Sequence, residues 1–147
     1  MTNRFRLFVV WFVGYAACFL LLSVYAFYAV PLEYLNDVLG GGIVSLTGVF
    51  APYLTPIVAF WFAKEVIQRA EPSAPGPYRV ALICSFFFNI VFVLLVGSLF
   101  VLEIADPISA VDEVLKLATQ LASGLAFLVG PAIGFYFGKT EPINGRV

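Results

Sequence analysis

The chain has 147 residues, 62% hydrophobic and only 12% charged, with a net charge of −1. Soluble domains carry about 25% charged and about 45–50% apolar residues, so a water-soluble globule is excluded and lipid is the solvent that fits. The near-zero charge excludes a nucleic-acid partner. The absence of histidine removes the commonest general base and metal ligand.

Four charge-free runs follow in order. Residues 7–30 form the first, behind a basic start at Arg4 and Arg6. About 20 apolar residues cross the hydrocarbon core as a helix. Pro31 should end it, and a loop with Glu33, Asp37 and the glycines at 40–42 leads to the second run, 43–63. That loop reads as one or two interfacial turns and a flexible glycine break. Pro52 and Pro56 lie inside the second run and should bend it.

Residues 64–79 make a polar connector with Pro72, Pro75 and Pro77, too short to fold by itself. The third run covers 80–102, with Asn89 its carboxamide and Glu103 just past its end. Asp106-Pro107 reads as a helix start, aspartate capping and proline at the first helical position. The fourth run is 117–138. The fold class is therefore an all-α integral membrane protein with four transmembrane helices in a single domain.

Seven of the eight Lys/Arg residues fall in the start, the connector and the tail, and only Lys116 falls in a loop of the other side. By the positive-inside rule both termini and the connector face the cytoplasm. A bacterial inner membrane is the expected location. Trp61 and Lys64, with Tyr136 and Lys139, read as aromatic-basic anchors at that interface.

The block Pro56-Ile57-Val58-Ala59-Phe60-Trp61-Phe62-Ala63-Lys64 returns 75 positions later as Pro131-Ala132-Ile133-Gly134-Phe135-Tyr136-Phe137-Gly138-Lys139. Asp37 then falls on Asp112. The pattern predicts a tandem duplication of a two-helix hairpin, a parallel repeat with its axis along the membrane normal. Pro56 and Pro131 become hinge candidates at equal depth. In the same register, Thr47, Ala51, Thr55, Ala59 and Ala63 recur every fourth residue, as do Ala122, Ala126, Gly130, Gly134 and Gly138. Small residues so spaced let membrane helices approach closely. They place the second and fourth spans together at the centre. The first and third spans, rich in phenylalanine and leucine, are expected outside.

No hydrolase, redox, phosphate-binding or metal motif is visible, so neither an enzyme nor a cofactor is expected. Asn89, Gln120 and Glu103 are the candidate intramembrane polar groups; interhelical hydrogen bonding accounts for them more simply than a substrate does. Length and span number are similar to those of the small multidrug-resistance exporters. The first span here lacks the membrane glutamate on which those exporters run, and that separates them. The layout of four spans with a basic, proline-containing connector also resembles sets of small bacterial inner-membrane proteins. The expected role is association through helix packing, with itself or with another membrane protein as partner and with the bilayer as solvent. A small-solute transporter or pore built from two parallel hairpins is the alternative.

Overall fold

A computed structural model describes residues 3–63, 75–101 and 106–138. Four α-helices make up the fold: α1 (Asn3–Ala29), α2 (Leu35–Ala63), α3 (Pro75–Gly97) and α4 (Pro107–Gly138), with a 3₁₀ turn at Ser98–Phe100. Each holds a segment long and apolar enough to cross a membrane: Phe5–Ala29, Leu35–Ala59, Tyr78–Phe100 and Pro107–Pro131. At 1.5 Å per residue, the 29 residues of α2 and the 32 of α4 reach ~43–48 Å, against a hydrocarbon core of about 30 Å. Both helices are thus longer than a hydrocarbon core requires, and their N-terminal parts carry Asp37, Asp112, Glu113 and Lys116.

α2 begins eight positions before the apolar run and passes straight through Gly40-Gly41-Gly42. The expected glycine break does not occur. Leu35, Val38, Leu46, Val49 and Phe50 are buried at helical spacing on both sides of the glycines, so one apolar face runs through them. Gly42 is needed on that face. A Cβ there would stand 2.3 Å from Leu22 Cδ2 of α1.

The helices close into a ring in the order α1, α2, α4, α3, each touching two neighbours along its length. α1 and α3 are parallel neighbours: Trp11 meets Phe88 at 5.0 Å between ring centroids, and Tyr25 meets Phe100 at 5.6 Å. The expected centre of second and fourth spans flanked by first and third is corrected here. Trp11, Phe88 and Phe92, from the first and third helices, are fully buried. Large rings fill the axis of a four-helix ring better than small side chains, which would leave it hollow.

Buried positions also compare the two halves. α1 buries Leu7, Trp11, Gly14, Cys18, Leu22 and Tyr25; α3 buries Ala81, Ser85, Phe88, Phe92 and Val96, and the 3₁₀ turn after it Leu99, each 74 positions later. α2 buries Leu35, Val38, Gly42, Tyr53 and Ile57, and α4 buries Val111, Val114, Ala118, Val129 and Ile133, 76 later; Leu46, Val49 and Phe50, also buried in α2, have half-buried or exposed residues at that spacing, Ala122, Leu125 and Ala126. Neither spacing is the 75 of the repeated string. One residue of offset turns a helix by about 100°, and Val58 is exposed while Ile133, paired with it by the string, is buried.

Candidate functional site

The polar centre of the bundle lies between α1 and α3. Ser85 and Asn89 stand one turn apart on the buried face of α3. Ser85 donates its hydroxyl hydrogen to the Ala81 carbonyl at 2.7 Å, which leaves its Oγ free to accept. Trp11 Nε1 donates to that Oγ at 2.9 Å. An indole can only donate, so Ser85 gives Trp11 the partner it needs inside an apolar seam.

Asn89 donates its Nδ2 to the Ser85 carbonyl at 2.7 Å. Its Oδ1 is buried and has no hydrogen-bond partner. A Cβ on Gly14 would lie 1.5 Å from that oxygen, so the Cα–H of Gly14 points at it instead. Exchanging the two amide atoms would set Oδ1 against the Ser85 carbonyl oxygen, so the hydrogen bond decides the orientation. Aromatic rings seal the seam. Trp11 stacks on Tyr53 at 4.7 Å and Phe88 on Phe92 at 4.4 Å, while Phe50 meets Phe88 edge-on at 5.9 Å. Hydrogen bonding and close packing are what this arrangement can do. It holds no nucleophile beside a base, and no group of metal-ligating side chains occurs among the described residues.

Several other hydroxyls of the four helices bond to their own helix or to one neighbour. Thr119 donates to Leu115 O and Ser123 to Thr119 O, both at 3.0 Å. Tyr15 Oη and Thr47 Oγ1 lie 3.2 Å apart across α1 and α2. Such pairing is required where no water reaches the backbone. At the start of α4, Asp106 accepts from the Ile108 and Ser109 amides and from the Ser109 hydroxyl. The Ser109 hydroxyl first, then the Ile108 amide, hold its carboxyl below the usual carboxylate range. The helix start expected at Asp106-Pro107 is present.

Of the candidate polar residues, Asn89 is in the core, Gln120 is exposed, and Glu103 lies outside the described residues. The two small-residue series face mainly outward. Thr47, Thr55, Ala59 and Ala126 are exposed, and Ala51, Ala122 and Gly130 are half-buried. A Cβ added at Gly130 would meet nothing within 4 Å. The surroundings of Ala63, Gly134 and Gly138 lie outside the description, as do those of Trp61 and Tyr136, and Lys64 and Lys139 lie outside the described residues altogether. Pro56 and Pro131 sit inside continuous helices on exposed positions.

The glycine and the serine of the polar seam carry its geometry and were not foreseen. The spacing of Ser85 and Asn89, one helical turn apart in an otherwise apolar span, was a signal available in the sequence. Gly14 gave none by itself. No family model, no curated protein and no solved structure matches the chain.

Proposed function

We propose that this chain is a four-span membrane protein that acts by association, as an oligomer or as an accessory subunit of a membrane complex. One observation carries the reading: several small residues of α2 and α4 stand on the outside of the bundle. Thr55, Ala59 and Ala126 are exposed, and Cβ atoms at Gly48, Gly124 and Gly130 would enter open space. The small residues that the bundle itself needs are different ones, Gly14 and Gly42. A helix of another chain could approach the outward positions closely, which is how membrane helices gain packing energy without a hydrophobic driving force.

The positive charges support a bacterial inner-membrane protein with both termini in the cytoplasm. The string repeated 75 residues on, with part of the buried positions recurring at 74 in α1 and α3 and at 76 in α2 and α4, supports a duplication of a two-helix hairpin. Asn89 is closed in by Gly14 and Ser85, which favours a packing role over a substrate contact.

The test is purification in mild detergent with crosslinking and identification of what travels with the protein. A homo-oligomer or a co-purifying membrane protein is expected, lost in an Ala59→Leu/Ala126→Leu double variant that still folds. A wild-type monomer that recovers no partner overturns the reading.

A further inference from the structure

The outward face of α4 differs from those of α1 and α3. From Phe12 to Tyr28 on α1, and from Val80 to Leu94 on α3, every exposed residue is apolar or aromatic. On α4 the exposed residues include Glu113, Lys116, Gln120 and Ser123. We infer that this face is the contact with a second copy of the chain, the two α4 helices lying side by side with Gln120 against Gln120 across a twofold axis. The inference rests on the association proposed above and names its partner and its face.

Depth comes first. A hydrocarbon core of about 30 Å takes about 20 helical residues, and α4 has 32. Every run of about 20 residues within Pro107–Gly138 contains residues 119–126. Gln120 therefore lies in the apolar layer wherever along α4 that layer falls. Its side chain is exposed and has no hydrogen-bond partner among the described residues. Thr119 and Ser123 beside it bond to carbonyls of their own helix. A carboxamide left unpaired against lipid is strongly unfavourable, and a partner from outside the bundle removes that cost.

Direction comes next. The buried Val111 and Val129 each lie nine positions from Gln120, about 180° round the helix, so Gln120 stands outermost. Glu113 and Phe127, seven positions to either side, are exposed and fall within about 20° of its line. Seven residues is the repeat at which side-by-side helices meet. A Cβ on Gly124, one turn beyond Gln120, would meet nothing within 4 Å, so another helix can come close there.

Two features make the occupant a second copy. A carboxamide both donates and accepts, so it is its own complement. Copies inserted alike have parallel α4 helices, and a twofold axis along the membrane normal sets Gln120 opposite Gln120. Glu113 lies about 20° to one side of that line and Lys116 about 40° to the other. The axis brings opposite sides of the two helices together. Glu113 of each copy then faces Lys116 of the other, and neither charge has an ion-pair partner among the described residues. Symmetry alone supplies that charge match.

The test uses the full-length protein in phosphatidylethanolamine–phosphatidylglycerol vesicles, with self-association read by energy transfer between donor- and acceptor-labelled copies. Wild-type dimers are expected. Gln120→Leu should weaken them about tenfold, the scale of one interhelical hydrogen bond, and Gln120→Asn, which keeps the carboxamide, less. Glu113→Lys and Lys116→Glu should each weaken self-association severalfold. Mixing those two variants should restore it, because every charge then meets its opposite in the other copy. A role within one chain cannot be rescued by mixing. Oxidation should join Phe127→Cys into a covalent dimer, while Ile83→Cys on the outside of α3 and the wild type, with its Cys18 and Cys84, should not be joined. Every substituted position is exposed, so the bundle keeps its fold. A dimer that Gln120→Leu leaves unchanged, or that mixing does not restore, overturns the inference and leaves association standing. So does a wild-type chain that pairs only with a different membrane protein. A wild-type monomer with no partner overturns both.

Discussion

Two surfaces of this bundle use small residues in opposite ways. In the seam between α1 and α3, Gly14 is small because Asn89 occupies the space where a side chain would be. On the outer faces of α2 and α4, Gly48, Gly124 and Gly130 are small with nothing against them. The first kind of position is committed to the fold. The second is free of it. A glycine or alanine in a membrane helix therefore carries no fixed meaning until its face is known. Gly41 and Gly42 make the point within one dipeptide: a Cβ on Gly42 collides with Leu22, and one on Gly41 meets nothing.

The largest effect should come from the seam's central ring. Trp11 contacts three other rings and Ser85. Trp11→Ala should cost about 3–5 kcal/mol, seen as early unfolding in a detergent denaturation series. A variant of wild-type stability would show that the aromatic seam does not hold the bundle.

Gly14→Ala should rank next, at about 1–3 kcal/mol, because a short, buried carboxamide must move and give up its bond to Ser85. The comparison is sharpest as a cycle. Asn89→Ala empties the space, so Gly14→Ala should cost much less in that background. Equal costs in the two backgrounds would break the assignment of Gly14 to Asn89.

Gly42→Ala should be milder, since a leucine methyl can swing away, and Gly41→Ala or Gly48→Ala should not destabilise. Replacing glycine in an exposed helix should even stabilise by roughly 0.5–1 kcal/mol. Thermal unfolding of the three variants side by side checks this order. A loss at Gly48 comparable to that at Gly14 would erase the distinction between the two surfaces.

The smallest effect concerns pH. The carboxyl of Asp106 is held below its ordinary range by the Ser109 hydroxyl and the Ile108 and Ser109 amides. A carboxylate lowered on folding stabilises above the ordinary carboxylate pKa, and that help is lost as pH falls through the folded value. Acidification below the usual carboxylate range should lower the protection of amides at the start of α4 relative to their intrinsic exchange rates, and Asp106→Asn should remove that loss of protection with pH.

Much of the architecture was legible in the composition. Four long apolar runs in a chain with 12% charge have one solvent in which they are stable. The helix start at Asp106 was legible too, because capping is local chemistry between neighbours in sequence. Asn89 could be singled out as the carboxamide of its span. The faces could not. The repeated string around Pro56 and Pro131 set a spacing of 75, while only part of the buried positions recur, and those at 74 and 76. A one-residue offset is invisible to a string and amounts to about 100° on a helix.

The reason is the solvent. In water, an apolar stripe betrays the inward face of a helix. In lipid both faces are apolar, so composition alone cannot tell Phe88, at the core, from the exposed Phe87 next to it. The sequence by itself determined that there are four helices long and apolar enough to cross a membrane. The tertiary structure alone decided which rings meet at the centre and which oxygen Gly14 faces. Those are matters of steric fit between distant segments, and they exist only once the helices are packed.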